Sequence, residues 1–402
     1  MLMVLSTILV CSLLAAYGVL IAWYRRLWLA IPEFEPTAGA ARTRMSIVIP
    51  ARNEEANIGR CIESLLSQSY PMELYEVIVV DDHSTDGTRG IVTALQASAH
   101  NLVYASLDTE GGAHKKRAIE TGIGIASGDL IVTTDADCLA HPDWLQTLAA
   151  FYEEKRARFI AAPVRMGKPG LPHSALSTFQ ILDFITLQGI TGAAVSAGFH
   201  SMCNGANLAY EKKAFETVGG FRDIDDIPSG DDMLLMHKIY LQYPDSVHFL
   251  KSRSAIVSTA PEKTFSAFVH QRVRWASKAD RYDDRRISRV LVLVYALNAA
   301  MLVLLVAACF NRWWLWVFLG GILFKTLVEY PFVKNVAGFF GQRALMNWFA
   351  VLQPFHIVYI VVVGWMGKFA GYRWKGRTVT KRKGRAISNQ KDRSVPTGGA
   401  VQ

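Results

Sequence analysis

The fold of this chain follows from Tyr75-Glu76-Val77-Ile78-Val79-Val80-Asp81-Asp82, an apolar run that ends in two acids. Such a run is typical of a buried strand. Met45–Pro50 and Leu130–Thr134 repeat the pattern, and helix-like runs separate the three, which predicts a mainly parallel sheet between helices. The carboxyl ends of parallel strands share one edge. We therefore expect one edge to gather Ala51, Arg52, Glu54, Asp81, Asp82, Asp135 and Asp137.

Local signals predict where the first two helices begin. Asn53 is expected to cap the helix after the first strand, in which apolar residues from Ile58 to Leu66 repeat on one face. The next helix is expected at Ser84–Ala97, with Ser84 or Thr85 as its cap. The whole of 43–284 is predicted to fold as one α/β domain.

The amino-terminal end predicts a membrane anchor. The chain has 402 residues, 51% of them hydrophobic and 19% charged, which is too apolar for a purely soluble enzyme. Met1–Trp23 is long enough to cross the hydrocarbon core, and Arg25 and Arg26 follow at once. Positive charge before the run and a cleavage site after it are both missing. We expect residues 1–24 to form a retained anchor whose carboxyl end lies in the cytoplasm.

The carboxyl-terminal part, 288–370, predicts further membrane helices. Val290–Phe310 and Trp313–Val333 are two candidates, and Trp348–Phe369 is a third that contains Pro354. Three crossings would place the tail opposite a cytoplasmic domain, whereas the positive-inside rule favours a cytoplasmic tail. The expectation that resolves this conflict is a re-entrant or interfacial segment broken at Pro354.

The tail, residues 371–402, is strongly basic. Nine Lys and Arg lie between Arg373 and Arg393, with Asp392 as the only acid there, and the net charge of the chain is +9. We expect a disordered tail that is either solvated or bound to anionic lipid headgroups. Nucleic-acid binding is not expected beside hydrophobic spans.

The acids after the third strand predict a divalent cation site. Asp135 and Asp137 are one residue apart at a strand end, where carboxylates can hold a cation shared with a substrate diphosphate. The alternative is a solvated turn. Cys138 follows directly, but hard Mg²⁺ or Mn²⁺ prefers oxygen, so a packing role is expected. The five cysteines have no spacing that indicates zinc or disulfides.

Three further clusters supply charge. Lys115 opens a helix-like run and could meet phosphate oxygens, or lie on a solvated face. Asp231 and Asp232 fall at a helix start, where they could cap the helix or act as a general base. In the run Phe265–Lys278, helical spacing places three side chains on one face, where they could bind a diphosphate and form one wall of an acceptor site. These are Gln271, Arg274 and Trp275.

Hydride transfer is not expected. A dinucleotide fold places G-x-G-x-x-G directly after its first strand, and Pro50–Glu54 lacks it.

Over Met45–Ala279 the chain resembles the membrane-integral family 2 inverting glycosyltransferases of GT-A fold, a group that includes cellulose, hyaluronan and ceramide glucosyl transferases. The resemblance implies a nucleotide pocket at Ala51, Arg52, Glu54 and Asp82, and a diphosphate lysine at Lys115. It also implies that Asp135 approaches the nucleotide, Asp137 ligates the metal and Asp232 is the base. Gln271, Arg274 and Trp275 match the whole Q-x-x-R-W motif. The acidic pair begins with Asp231 where the family has Glu.

The implied activity is metal-dependent transfer of a hexose from a UDP-sugar to an acceptor at the lipid bilayer, with Mg²⁺ or Mn²⁺. The catalytic domain is expected in the cytoplasm, on the inner or plasma membrane if the protein is bacterial. The acceptor is expected to be a lipid; a growing polysaccharide made by a processive synthase is the alternative. A third hypothesis is an inactive scaffold that binds nucleotide sugars, against which the intact carboxylates argue.

Overall fold

The computed structural model describes residues 2–36, 42–108, 114–171, 173–200, 202–224, 230–277, 285–374, 377–382 and 385–389. It has an α/β domain with long apolar helices before and after it. The predicted end of the domain, 278–284, lies outside the described residues.

The strands, in chain order, are β1 Met45–Ala51, β2 Tyr75–Asp81, β3 Leu102–Ser106, β4 Leu130–Thr133, β5 Phe159–Ala161, β6 Val164–Met166, β7 Leu208–Glu211, β8 Val247–Phe249, β9 Val257–Thr259, β10 Tyr372–Trp374, β11 Arg377–Arg382 and β12 Arg385–Asn389. The helices are α1 Leu2–Ala30, α2 Ile58–Leu66, α3 Thr88–Gln96, α4 His114–Ile125, α5 Trp144–Lys155, α6 Ala175–Ser196, α7 Lys212–Thr217, α8 Met233–Gln242, α9 Phe265–Ala276, α10 Arg285–Ala307, α11 Arg312–Phe339 and α12 Phe349–Phe369.

The predicted sheet is present and mainly parallel at its centre. Its order is β3-β2-β1-β4-β7-β5-β8, and β7 runs antiparallel to both neighbours. β1 pairs in parallel with β2 and with β4, and Ala51 lies opposite Asp81. The apolar residues of these three strands are buried because helices cover both faces of the sheet. The carboxyl ends of β1, β2 and β4 therefore share one edge, as predicted.

Two glycines that do not form a dinucleotide motif are explained by packing. A Cβ at Gly122 of α4 would lie 2.4 Å from Val48 Cγ1 in β1, so only glycine lets the helix approach the sheet this closely. A Cβ at Gly128, just before β4, would lie 2.6 Å from the backbone carbon of Met45. These contacts set the position of α4 on the sheet.

The predicted helix caps after β1 and β2 are wrong. α2 begins at Ile58 after Asn57, whereas Asn53 has a φ of 51° and its Oδ1 accepts a hydrogen bond from the Thr85 amide at 2.8 Å. α3 begins at Thr88 rather than at Ser84. Polar side chains of the two loops bond to each other, and this cross-loop pairing takes the place of helix capping.

Four helices are long and apolar enough to cross a membrane, by length and composition: Met3–Ala30, Arg286–Ala307, Arg312–Phe339 and Arg343–Phe369. α1, α10 and α11 pack together as a bundle. A Cβ at Gly321 of α11 would lie 2.8 Å from Met301 Sδ in α10, and one at Gly18 of α1 would lie 3.2 Å from the Phe324 ring. Close approach at small residues is typical of helix packing in membranes.

The end of α1 is fixed to the domain. Lys251, after β8, donates hydrogen bonds from Nζ to the carbonyl oxygens of Trp28 at 3.0 Å and Ile31 at 2.9 Å. A cation at these carbonyls satisfies acceptors that a helix end leaves without intrahelical partners. The Trp28 ring is buried against Phe249 and Phe339.

The apolar segment that begins at Phe179 forms most of α6, which ends at Ser196. α6 is buried for most of its length and lies between the domain and the apolar helices. A Cβ at Gly189 would lie 2.5 Å from Val336 of α11, and one at Gly192 would lie 2.8 Å from Trp28 of α1. Glycine at these positions brings α6 against both helices.

α12 lies along the domain. Just before it, Gln342 Nε2 donates to the Met166 carbonyl at 2.9 Å, and at its end a Cβ on Gly367 would lie 2.5 Å from Ala276 Cβ of α9. Between these points the Phe355 ring lies 4.5 Å from that of Phe179 on α6. The predicted break at Pro354 is wrong, because α12 continues through it. Because α12 packs against α9 and also against α10, an interfacial position for it stays a prediction.

The tail is not wholly without regular structure. β10, β11 and β12 form an antiparallel sheet, and β10 lies beside α9. The prediction of a disordered tail is therefore wrong for these strands. Residues 390–402 lie outside the described residues.

We expect the tail and the domain to lie on the same side of the membrane, because α12 starts and ends against the domain. A cysteine introduced at exposed Gly371, directly after α12, should react with a membrane-impermeant maleimide from the side that labels a cysteine at exposed Ser98 of the domain. Native Cys309, exposed between α10 and α11, should react from the opposite side. Labelling of Gly371→Cys together with Cys309 would show instead that α12 crosses.

Candidate active site

A cavity of about 1690 Å³ lies at the carboxyl edge of β1, β2 and β4. Its walls continue past the sheet edge to α6 and α9 and then to the apolar helices α1, α10 and α12. Pockets for a single drug-sized ligand occupy roughly 300–1,000 Å³, so the cavity has room for more than one substrate. The predicted site residues that line it are Ala51, Arg52, Glu54, Asp82, Lys115, Asp135, Asp137, Asp231, Asp232, Gln271, Arg274 and Trp275.

One end of the cavity is formed by the loops after β1 and β2. Arg52 Nη1 donates to the Asp82 carbonyl at 2.6 Å, and the Asp82 amide donates to the Ala51 carbonyl at 2.8 Å. The buried Glu54 carboxylate accepts a hydrogen bond from Asn57 Nδ2 at 3.0 Å. The two loops are therefore locked to each other, with two carboxylates at a wall where a nucleobase N–H could donate.

Asp81 is the exception among the predicted residues, because it does not line the cavity. Its carboxylate accepts hydrogen bonds from the Ser84 amide and Tyr104 hydroxyl, each at 3.2 Å, and from the Ser84 hydroxyl. The side chain shapes the turn after β2 instead of entering the pocket.

Lys115 joins two of the acidic clusters. Its Nζ donates to Asp135 Oδ1 at 2.8 Å and lies 3.2 Å from Asp231 Oδ2. Burial alone would lower the pKa of Lys115, but the charges of Asp135, Asp231 and Asp232 outweigh it and raise the pKa well above its ordinary value. A Cβ at Gly205 would lie 3.2 Å from Nζ and 3.1 Å from Asp231 Oδ2. The ammonium group is thus held charged at the centre of the site.

Asp137 is the exposed member of the Asp135 and Asp137 pair. Its Oδ2 accepts from the Thr259 hydroxyl at 3.3 Å and its Oδ1 from Cys138 Sγ at 3.6 Å. Cys138 is buried, as predicted; burial raises the pKa of its thiol and the charge of Asp137 raises it further. The ionised form of the thiol, which is the form that binds a metal, is therefore disfavoured here.

The carboxylate oxygens of Asp135 and Asp137 fit a divalent cation that is held mainly by the phosphates of a substrate. Among the described residues no three His, Cys, Asp or Glu side chains converge as a complete metal site. Mg²⁺ and Mn²⁺ suit oxygen ligands, and Mg²⁺ commonly takes one or two protein carboxylates plus substrate phosphates. An exposed carboxylate in a cavity wide enough for a nucleotide meets that need, with Asp137 as the donor and Asp135 beside it.

Asp231 and Asp232 precede α8 and are both buried. Asp232 is the N-cap of the helix, and its Oδ1 accepts from the Met233 amide at 2.8 Å. Gly230, with a φ of 87°, provides the left-handed turn before them. The positive end of the helix dipole favours the ionised form of a carboxylate at this position. The predicted capping is therefore confirmed for Asp232, and both carboxylates line the cavity, while the role of a general base stays a prediction.

Gln271, Arg274 and Trp275 bring α9 to the cavity. Gln271 Nε2 donates to Glu262 Oε1 at 3.0 Å, and the Glu262 backbone exchanges hydrogen bonds with the side chain of Gln180 on α6. Gln271 Oε1 is buried and has no hydrogen-bond partner within the part of the chain that the structure describes. The residue also lines the cavity, and a buried acceptor of this kind usually has a partner in a native site.

Sequence reasoning missed Arg272. Its side chain is almost fully buried, its Nη2 lies 3.1 Å from Asp183 Oδ2 of α6, and its guanidinium carbon lies 4.2 Å from the Trp275 ring centroid. The guanidinium thus stacks on the indole of the motif while it pairs with α6. Burial raises the pKa of Asp183, and Arg272 opposes that rise.

A signal for this pair was present in the sequence. An acid inside an otherwise apolar helical run is expensive to bury unless it has a cationic partner. Asp183 could therefore have been assigned a buried partner. The identity of that partner depends on tertiary packing and does not follow from spacing.

Polar side chains extend from Asp183 into the apolar helices. His356 Nε2 of α12 lies 3.9 Å from Asp183 Oδ1, and Lys325 of α11 lies 3.4 Å from His356 Nδ1. Lys325 also pairs with Glu329 at 2.7 Å and donates to Gln353 at 2.8 Å. Charged groups in such surroundings need partners of this kind. These contacts link α11 and α12 to α6, whose Asp183 pairs with Arg272.

The mixed sheet with an acidic cavity at its carboxyl edge is the arrangement of a GT-A-like fold. Residues 46–219, which are fewer than half of the chain, match the family model described as Glycosyl transferase family 2.

The chain is similar to curated glycosyltransferases over part of their length. Glycosyltransferase AglE of Haloferax volcanii is 38% identical over 102 residues, which are 25% of this chain and 33% of that protein. Beta-monoglucosyldiacylglycerol synthase of Synechocystis sp. is 28% identical over 269 residues, 64% of this chain and 54% of that protein. The matches thus span from a third to about half of these relatives.

A solved structure supports the fold. The mannosyltransferase PcManGT from Pyrobaculum calidifontis, in complex with GDP-Man and Mn²⁺, aligns with a TM-score of 0.57 and 20% identity. The alignment covers 87% of this chain and 98% of that one. At this identity the likeness establishes the fold alone.

Removing one partner of the Asp183 and Arg272 pair should lower the free energy of unfolding. Asp183→Asn or Arg272→Met alone is expected to cost about 3–5 kcal/mol, because a buried charge loses its partner. The double variant should cost less than the sum of the two, because it removes both charges. Chemical denaturation in detergent micelles measures all three.

The control is the exposed pair of Arg253 and Glu33, whose nitrogen and oxygen lie 2.6 Å apart. Arg253→Met should cost no more than about 1 kcal/mol. Strict additivity of Asp183→Asn and Arg272→Met would show that the two side chains are not coupled.

Proposed function

We propose that this protein is an inverting, metal-dependent hexosyltransferase that moves a sugar from a UDP-sugar to a lipid acceptor in the membrane. The observation that carries the proposal is the single cavity, whose walls hold the acidic clusters at one end and apolar helices at the other. A polar donor could enter this cavity from water and an amphiphilic acceptor from the lipid bilayer, so the two could meet inside it.

The donor is proposed to bind at the loops after β1 and β2. Asp82 and Glu54 supply acceptors for a nucleobase, with Arg52 fixing the loop between them. Lys115 and Arg274 line the same cavity and are suited to oppose the charge of a diphosphate. We propose uracil as the base. A panel of donors would have to exclude guanine, the base of the nucleotide in the solved mannosyltransferase structure.

The chemical step is proposed to be direct displacement at the anomeric carbon. The Asp232 carboxylate takes the proton of the acceptor hydroxyl, and the oxygen bonds to the anomeric carbon from the face opposite the diphosphate. The bond from that carbon to the diphosphate oxygen breaks, and UDP leaves with the bonding electron pair. Lys115 and Arg274 stabilise the charge that develops on it.

A divalent cation, when bound, would neutralise the diphosphate and act as a Lewis acid on its oxygens. Asp137 is proposed to hold it, with Asp135 oriented by Lys115 toward the nucleotide. Gln271 and Trp275 are proposed to form the acceptor wall, because both line the cavity on the side that meets the apolar helices.

We propose an integral membrane protein with its catalytic domain in the cytoplasm. Arg25 and Arg26 near the domain end of α1 support that orientation. The name of the Synechocystis relative, a monoglucosyldiacylglycerol synthase, supports a lipid acceptor.

The test is nucleotide release by the reconstituted protein from a panel of UDP- and GDP-sugars, with Mn²⁺ or Mg²⁺ and with or without membrane lipid. Release that needs one sugar, metal and lipid, with a single glycolipid product, is expected. A ladder of products would indicate a processive polysaccharide synthase. Metal-dependent nucleotide binding without turnover under any condition would indicate a scaffold.

Asp232→Asn should abolish transfer and leave donor binding intact, because the amide cannot accept the hydroxyl proton. We expect the turnover rate to fall by about 10²–10⁴-fold, with the dissociation constant for UDP unchanged in calorimetry. The control is Asp245→Asn, which makes the same change at an exposed position outside the cavity. Full activity of Asp232→Asn would remove Asp232 from the role of base.

Removal of divalent metal should stop transfer. Dialysis against EDTA is expected to abolish turnover, and Mn²⁺ or Mg²⁺ should restore it. Asp137→Asn should raise the metal concentration needed for half-maximal activity at least tenfold, because it removes an anionic ligand. Turnover that survives EDTA would show that Lys115 and Arg274 stabilise the leaving diphosphate without a metal ion.

A further inference from the structure

The apolar end of the cavity reaches the outer surface between α10 and α12. Val292 and Tyr295 of α10 line the cavity while 67% and 37% exposed, and Trp365 and Phe369 of α12 line it while 57% and 63% exposed. Residues that face both the cavity and the outside mark an opening. Because α10 is a candidate membrane span and all four side chains are apolar or aromatic, this opening faces lipid.

The two helices touch at Gly364 of α12. A Cβ at this glycine would lie 2.9 Å from Tyr295 Cδ2 on α10, closer than a side chain can approach without displacing the ring. Glycine at 364 therefore lets α10 and α12 pack closely beside the opening, and both residues line the cavity. Exposed glycine at 320 on α11, by contrast, has no atom within 4 Å of its would-be Cβ.

The polarity of the walls changes along the cavity. Lys115, Asp232 and Arg274 line the cavity from the domain, whereas Ile287 and Val363 line it from the helices that border the opening, where His356 and Lys368 are polar members of a mostly apolar set. Such a gradient matches one molecule with a polar head and a long hydrocarbon chain. A purely polar acceptor would leave the apolar walls in contact with water, which is unfavourable.

We infer that the opening between α10 and α12 bordered by Val292 and Trp365 is the site through which the acceptor's hydrocarbon chain extends into the bilayer while its hydroxyl lies at Asp232. This rests on the proposed lipid acceptor. The occupant is a hydrocarbon chain, since the opening is continuous with the substrate cavity and its rim is apolar. The acceptor enters sideways from the membrane and never crosses water.

A pair of variants on α10 tests the site with little risk to folding. Val292 and Val303 are 67% and 65% exposed, and only Val292 lines the cavity. Eleven residues are about three helical turns, so the two lie on nearly the same face of α10. Val292→Trp should reduce transfer to a long-chain lipid at least tenfold, and Val303→Trp should not. Hydrolysis of the donor by water should be unchanged in both.

A second measurement does not depend on transfer. A diacylglycerol with a diazirine in the middle of one acyl chain is photolysed with the protein in nanodiscs, and the labelled residues are mapped. Labelling of Ile287 or Val363, which are buried in the cavity wall, is expected in the wild type. Val292→Trp should abolish it, while labelling of Val303 and the response to Val303→Trp serve as controls.

The outcomes separate the inference from the proposed function. Transfer to lipid that is unaffected by Val292→Trp, with label confined to the outer face at Val303, would overturn the inference and leave the lipid transferase standing. Inner-wall labelling that Val292→Trp abolishes, in a protein that transfers no sugar to lipid, would support the chain site and overturn the proposed acceptor.

Discussion

The ammonium group of Lys115 makes the acidic site possible. Asp135 approaches it from the end of β4 and Asp231 from the start of α8, two elements that are distant in the chain. Two like charges 4 Å apart repel by about 4 kcal/mol at an effective dielectric constant of 20. Without a cation between them, these carboxylates would either separate or take up protons. One lysine, on a helix held against the sheet by Gly122, therefore determines the spacing of both clusters.

A second ion pair connects this site to the membrane helices. Arg272 is buried between Asp183 and the Trp275 ring, and hydrogen bonds between Gln180 and Glu262 add a further link between α6 and α9. A buried pair contributes little net stability, because desolvation offsets the attraction between the charges. The pair instead fixes the orientation of α9. Because a rotation of α9 would break the pair, Gln271, Arg274 and Trp275 stay turned toward the cavity. The same contacts continue through His356 to α12.

Much of the sheet and its edge was predictable, because a parallel arrangement requires strand ends to meet. Asp82, Asp135 and Asp137 follow from that rule alone. Asp81 does not, since the neighbouring Ser84 and Tyr104 compete for its carboxylate and turn it away from the cavity. The pairing of Asp183 with Arg272 spans two elements far apart in the chain, and no periodicity encodes it. Pro354 was misread for a related reason, because packing of α12 against α6 and α9 stabilises the helix where local propensity would end it.

The position of α12 links these two halves of the molecule. Because the helix lies along α6 and α9, its last turns meet the first turns of α10 beside the motif that faces the acidic clusters. A helix that simply crossed the membrane at its own site would leave the cavity open to water on that side. With α12 against the domain, the cavity instead has one polar end and one end lined by apolar helices. The strand β10, which follows α12, lies next to α9. The geometry of one helix thus underlies two proposals, namely where an acceptor enters and which side of the membrane receives the tail.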